Sequence, residues 1–335
     1  MRHRRIAVAA IIATLLALGT ARADPLTIRS GWVVMTSGYT PMVLEAKDQL
    51  KHYGTSYVLE PIHFQGSAPS MAALASGGVD IIPIGYSTLL TAVINAKMDD
   101  IRVVADDFQD GVEGYSSVPF MVRNDNTIAK VEDLKGHVVA TNSIGGAFDI
   151  GMHMMLRKHG LEDKRDFTVV ESDYTNMNPM LLSKKVDLTI GAQPGVSDPA
   201  FRAATHPLFT MRDATGGRTQ VLVFAARSGF LEKNRAALID FFTDMLGLSR
   251  WFRDPAHRPE AIALAARVTK QPYERLNAYL FSTSDFYSDP KGMPDIGALQ
   301  SGIDMMVALG FAKESIDVKR YLDLTIVQEA AKRLP

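Results

Sequence analysis

The chain of 335 residues sets 36 Lys and Arg against 37 Asp and Glu and contains no cysteine. Disulfides and thiolate metal sites are thereby excluded, and a near-neutral charge without long basic runs argues against nucleic acid or an anionic membrane as a partner. The length suits two lobes, each with its own core.

Residues 1–23 read as a cleaved secretory signal peptide and not as part of the fold. Arg2, His3, Arg4 and Arg5 precede an apolar run over 6–19, and Ala21-Arg22-Ala23 offers a small-x-small cleavage site before Asp24. The run is shorter than the roughly 20 residues a membrane-spanning helix needs, and no later stretch is long and apolar enough. With no cysteine to carry a lipid, the expected product is a free protein in the periplasm of a double-membraned bacterium, not a lipoprotein.

Residues 26–32 alternate into a first strand. Residues 40–53 predict an amphipathic helix, with Met42, Val43, Leu44, Ala46 and Leu50 apolar, Pro41 in its first turn and Gly54 as its stop. A second strand over 57–64 leads into Gln65-Gly66-Ser67-Ala68-Pro69, where Ser67 is placed to cap the helix that carries residues 71–75. A third strand ends at Gly85, the hydroxyls of Ser87 and Thr88 stand before a helix over 89–96, and residues 101–105 make a fourth strand. Strands alternating with helices predict a parallel, doubly wound sheet. Asp106, Asp107, Asp110 and Glu113 then read as a solvated acidic loop whose spacing does not fit a calcium-binding EF-hand.

The plan repeats. Strands over 118–123, 138–140, 167–171 and 207–211, with a helix over 148–159 after Thr141-Asn142-Ser143-Ile144-Gly145-Gly146-Ala147, resemble the first hundred mature residues. From residue 220 the texture changes: one apolar strand, 221–226, is followed by helical patterns to the end of the chain. Within both halves one stretch recurs, Ser76-Gly77-Gly78-Val79-Asp80-Ile81-Ile82-Pro83-Ile84-Gly85 and Ser183-Lys184-Lys185-Val186-Asp187-Leu188-Thr189-Ile190-Gly191. Ligands of open α/β sheets bind outside the carboxyl ends of the strands, so the loops after Gly85 and Gly191 are where a ligand is expected.

The order Gly66-Ser67, Ser76-Gly77-Gly78-Val79-Asp80, Val131-Glu132-Asp133-Leu134-Lys135-Gly136, Asn142-Ser143, Val186-Asp187 and Phe230-Leu231-Glu232-Lys233-Asn234 resembles the substrate-binding proteins of ABC importers for sulfonates, taurine and nitrate. That group is related to the binders of thiamine-pyrimidine precursors. The resemblance spans nearly the whole mature chain. It implies a type II periplasmic binding protein fold: α/β, two lobes built on two doubly wound sheets, two crossovers and a helical C-terminal part. Lobe 1 is expected at residues 24–117 and 220–335, and lobe 2 at 118–219. The chain departs from the family pattern at Ala192-Gln193-Pro194-Gly195, where an aromatic-Asp-Pro element is common. It departs again at Asn142-Ser143-Ile144-Gly145-Gly146, where a Gly-Ser pair with a following histidine is usual.

In such an arrangement the helix starts at Ser67, Ser87 and Ser143 face one cleft and offer backbone N–H groups suited to a sulfonate or carboxylate. The expected contacts are Trp32, Gly66, Ser67, Tyr86, Ser87, Asn142, Ser143, Phe148 and Gln193, with Trp32, Tyr86 and Phe148 as an apolar wall. Tyr115 and Ser116 fall at the first crossover, as ligand contacts or as hinge, and Arg123, Arg212 and Arg218 read as solvated. No cofactor, metal or catalytic residue is expected: no two histidines stand four apart, Gly85-Tyr86-Ser87-Thr88-Leu89 lacks the final glycine of a hydrolase elbow, and no phosphate-binding loop is present. The expected protein is a monomeric periplasmic solute-binding protein that passes a small organic anion to an ABC permease in the inner membrane. A thiamine-precursor-like pyrimidine as ligand and an extracytoplasmic solute sensor are the alternatives.

Overall fold

The structure, a computed structural model, describes residues 24–33 and 40–334, so the signal-peptide reading of 1–23 lies outside the described residues. One five-stranded sheet runs from β2 (Tyr57–His63) through β1 (Leu26–Trp32), β3 (Ile81–Gly85) and β10 (Thr219–Arg227) to β4 (Ile101–Asp110). The other runs from β7 (Thr168–Glu171) through β6 (Val138–Thr141), β8 (Leu188–Ile190) and β5 (Pro119–Arg123) to β9 (Thr205–Thr210). In each, the first three strands are parallel and the fourth is antiparallel to both neighbours. The sheets are therefore mixed where the sequence predicts parallel ones, because β5 and β10, the strands that enter from the other sheet, insert in the opposite sense.

The recurring stretch has one structural job in both copies. β3 and β8 are the third strands of their sheets, and the aspartate that precedes each clips it to its neighbour. Asp80 donates its backbone N–H to Arg29 O and accepts Arg29 N–H on its carboxylate at 2.9 Å. Asp187 donates to Val138 O and accepts Val138 N–H at 3.2 Å. A buried strand edge needs every such group satisfied, and the same residue meets the need twice.

The predicted helix over 40–53 is reduced to one turn, Thr40–Val43, and a 3₁₀ turn, Lys47–Gln49. Its apolar residues Met42, Val43, Ala46 and Leu50 are buried as the pattern requires. At the far end of the segment the carboxylate of Asp244 takes the backbone N–H groups of Lys51 and His52 at 3.2 and 2.9 Å, bonds that a helix running to residue 53 would have kept for itself. Tertiary contact here overrides local propensity.

The acidic loop is also different from expectation. β4 continues through it to Asp110, and Asp106, Asp107 and Asp110 are 7, 2 and 1% exposed. Asp106 accepts from Gln220 Nε2 at 2.6 Å and from Asp289 N–H at 2.7 Å, while Asp110 accepts from Val118 N–H at 2.7 Å and from the Ser117 hydroxyl. These carboxylates fasten the two connections between the lobes, which run from β4 to β5 and from the short helix Met211–Thr215 into β10. Burial pushes the Asp106 carboxyl up to about 7 and that of Asp110 up to about 6. Both thus bind protons on folding, and their contribution to stability is full below about pH 4 and lost as pH rises through about 6 to 7. Asp106→Asn is expected to flatten part of the decline in urea midpoint between about pH 5 and about pH 8; an unaltered slope would contradict this role.

The arginines read as solvated divide. Arg123 is 9% exposed, gripping Asp187 at 2.7 Å, Asp125 at 2.9 Å and Val186 O at 2.7 Å, because β5 lies next to β8 and the guanidinium meets the half-buried carboxylate there. Arg212 donates to Val112 O across the first crossover, and Arg218 forms an exposed pair with Asp295.

A candidate ligand site between the lobes

Three helices begin at glycines on the faces where the lobes meet: α1 (Ser67–Ala75) at Gly66, α2 (Tyr86–Ile94) at Gly85 and α3 (Ala147–Lys158) at Gly146. Serine caps are absent at all three. Ser67 is the first helical residue, and its hydroxyl accepts Gly85 N–H at 3.1 Å, tying α1 to the end of β3 and not capping its own helix. Ser87 lies inside α2, and Ser143 precedes α3 by a turn whose Gly146 N–H donates to Ser143 O. The glycines are explained by close approach. A Cβ on Gly66 would fall 2.5 Å from Ser143 Cβ, and one on Gly85 would fall 2.9 Å from Ala147 Cβ.

The lobes are closed on each other in this structure. Ser87 Oγ donates to Gly145 O at 2.8 Å, Tyr86 OH to Ala147 O at 3.1 Å, Asn142 Nδ2 to Gln65 O at 3.1 Å, and Gln65 Nε2 to Asp173 at 2.6 Å. Farther out, Arg275 pairs with Asp198 at 2.5 Å. Between these contacts lie two adjoining chambers that share Val33, Phe148 and Tyr174. The larger, about 190 Å³, is also lined by Val118, Ile190, Ala192, Gln193, Tyr279, Asp285 and Phe286. The smaller, about 20 Å³, is bordered by Gly66, Ser67, Asn142, Gly146 and Ala147, so helix starts from both lobes converge on it. A separate void of about 50 Å³ behind the first sheet, among Phe241, Phe242 and Leu246, touches no strand of the second sheet.

Of the expected contacts, the structure brings Gly66, Ser67, Asn142 and Phe148 together at the smaller chamber, and Phe148 and Gln193 at the larger. Ser143 stands against Gly66 at the seam. Tyr86 and Ser87 are placed as interlobe contacts: Tyr86 is fully buried, its ring against Gly302 and its hydroxyl pushed well up by burial. Trp32 lies on His63, ring centroids 4.1 Å apart, and its neighbour Val33 is the residue that borders the chambers. Tyr115 and Ser116 belong to the hinge, Tyr115 edge-on to Tyr287 and Ser116 N–H bonded to Thr283 O.

Among the lining residues that were not expected, three bear on the chemistry. Tyr174 starts the helix α4 (Tyr174–Leu182), and its buried hydroxyl has no hydrogen-bond partner among the described residues. Phe286 sits 4.1 Å from Phe108 by ring centroids and 6.3 Å from Phe148, completing an aromatic wall. Asp285 is 4% exposed and accepts Phe281 and Phe286 N–H groups at 3.0 and 2.8 Å; burial pushes its carboxyl up to about 6. These last two come from a turn-rich segment between the helices Tyr273–Asn277 and Ile296–Ala308, a place that no local pattern marks.

Two α/β lobes joined by two crossovers, with a cavity between them, make the two-lobed periplasmic binding protein fold. Within it, residues 62–246 match the family described as NMT1/THI5 like, which is more than half of the chain, and the chain belongs to that family. No curated protein sequence matches the chain. Among solved structures, the alkanesulfonate-binding protein SsuA from Xanthomonas axonopodis pv. citri, bound to MOPS, is similar at a TM-score of 0.70 and 16% identity, covering 90% of this chain and 99% of that one. The periplasmic nitrate-binding protein NrtA from Synechocystis PCC 6803 is similar at 0.69 and 16% identity, covering 92% and 89%. The desulfurization enzyme DSZB shares the fold at 0.64 and 12% identity, covering 92% and 99%. No helix among the described residues is long and apolar enough to cross a membrane.

Proposed function

We propose that the protein is a periplasmic solute-binding protein of an ABC importer, which takes a small organic molecule between its lobes and delivers it to the permease as a monomer. The observation that carries this is the convergence of helix starts from opposite lobes, Gly66-Ser67 and Gly146-Ala147, on a chamber that adjoins an aromatic-walled one across Val33, Phe148 and Tyr174. Backbone N–H groups there suit an anionic oxygen, and 20 Å³ is room for one or two such oxygens. The larger chamber is close to the size of an engineered cavity, about 150 Å³, that holds benzene, so one ring or a short chain fills it. Family membership and the printed names of the sulfonate- and nitrate-binding neighbours support the same reading. We assign the lobes to residues 24–117 with 220–335 and to 118–219, following the sheets.

The fold is shared with an enzyme and does not by itself choose between binding and catalysis. We read binding, because Ser67 has its hydroxyl engaged by Gly85 N–H and no histidine is among the described residues that line the chambers. An aminopyrimidine is the second reading of the ligand, favoured by the aromatic wall and Asp285. The test is a thermal-unfolding screen of residues 24–335 against alkanesulfonates, taurine, nitrate, benzene carboxylates and an aminopyrimidine. A ligand at about 100 times its dissociation constant adds roughly 2.7 kcal/mol; a selective rise is expected, and no rise with any of them would contradict the function.

A further inference from the structure

We propose that Asp285 selects the ligand, acting as acceptor for an ammonium or N–H donor on a molecule of one ring or less, and so sets this chain apart from binders of simple alkanesulfonates. The inference rests on the reading of the interlobe chambers as the binding site. Asp285 is 4% exposed and lines the larger chamber. Each of its oxygens takes one backbone N–H, from Phe281 and Phe286, and an ionised carboxylate has about four acceptor positions. Accepting capacity is therefore left on a side chain already withdrawn from water. Among the described residues that line the two chambers there is no Lys, Arg or His. The described lining thus carries a carboxylate and no side-chain cation, while Arg253 and Arg258 favour the ionised form of Asp285 and Arg275 stands in the adjoining outer cleft, paired with Asp198.

Desolvation is the largest influence on the Asp285 carboxyl, and a bound donor offsets it, whereas a bare alkyl or aryl edge leaves a buried acceptor without its water. Such a mismatch discriminates more strongly than the loss of a methylene. The Tyr174 hydroxyl, buried on the same chambers and unpartnered among the described residues, supplies a second polar contact of either sense. With helix starts at one end and Asp285 at the other, the favoured ligand is bipolar: an acidic oxygen group and a nitrogen donor on a short or one-ring frame.

The test compares matched pairs by calorimetric titration of wild type: taurine against ethanesulfonate, 3-aminobenzenesulfonate against benzenesulfonate, and 4-aminopyrimidine against pyrimidine. In the pair that binds, the amino member is expected to bind at least tenfold tighter, and Asp285→Asn is expected to abolish that preference. A purely structural Asp285, capping its turn, would change stability and leave the pair ratio alone. Equal affinity within the binding pair, or a preference that survives in Asp285→Asn, would overturn the role of Asp285 and leave the binding function standing. Should no member of any pair bind wild type, both fall together. Should Asp285→Asn not fold, Asp285→Glu, which keeps the carboxylate but moves it, serves in its place and is expected to lower the pair ratio; an unchanged ratio there would overturn the role.

Discussion

Gly66→Ser is expected to weaken ligand binding by about 10- to 100-fold while leaving the stability of the ligand-free protein nearly unchanged. Serine is at least as good a helix N-cap as glycine, and Gly66 has φ −175°, extended backbone open to any residue. Nothing local is therefore lost. The added Cβ, however, would lie 2.5 Å from Ser143 Cβ in the opposite lobe, an atom no rotamer can move aside. Overpacking of this kind costs about 1–3 kcal/mol, charged entirely to the closed form, and apparent affinity falls with the population of the binding-competent state. Ser143→Gly in the same chain removes the opposing atom and is expected to restore much of the affinity. Calorimetric titration of the single and double variants checks both halves; a single variant that binds like wild type would mean that closure at this seam is not needed.

Arg123→Ala is expected to destabilise the second-sheet lobe by about 3–5 kcal/mol, the usual consequence of stranding one member of a buried pair. The guanidinium holds Asp187 and Asp125 and two carbonyls at the point where β5 meets β8. Removing it leaves the Asp187 carboxylate half-buried with His137 as its remaining side-chain partner at 2.9 Å. Urea unfolding measures the loss directly. A change under about 1 kcal/mol would be that of an exposed pair and would contradict the burial of Arg123.

The sequence made the architecture legible where one residue does the same work twice. Asp80 and Asp187 each exchange two hydrogen bonds with the neighbouring strand, and that duplicated duty is why Val-Asp stands out before both third strands. Gly66, Ser67, Asn142 and Phe148, which line the smaller chamber, were singled out for a related reason: each sits where a strand gives way to a helix, a transition visible in the local pattern. The misreadings share a cause as well. Asp106, Asp107 and Asp110 look like a solvated loop because acidic clusters usually are, but Gln220 and Asp289 satisfy Asp106 from distant parts of the chain and Val118 satisfies Asp110 from the next strand's approach. Arg123 looks exposed until Asp187 is placed beside it. Trp32 and Tyr86 carry the right chemistry for a pocket wall, but Val33, one residue after Trp32, borders the chambers, and Tyr86 is buried at the seam with its hydroxyl on Ala147 O. Asp285 and Phe286 could not be seen locally, since the segment that bears them reaches the cavity only by bonding to the hinge at Gln109 and Ser116.

The central claim is that a small molecule is enclosed between the lobes, and native mass spectrometry of the protein purified from the cells that make it tests this without prior choice of ligand. The account predicts a single small species retained at one per chain by wild type and depleted in Gly66→Ser. Wild type emerging with no bound species, or Gly66→Ser retaining it at the same occupancy, would contradict the claim.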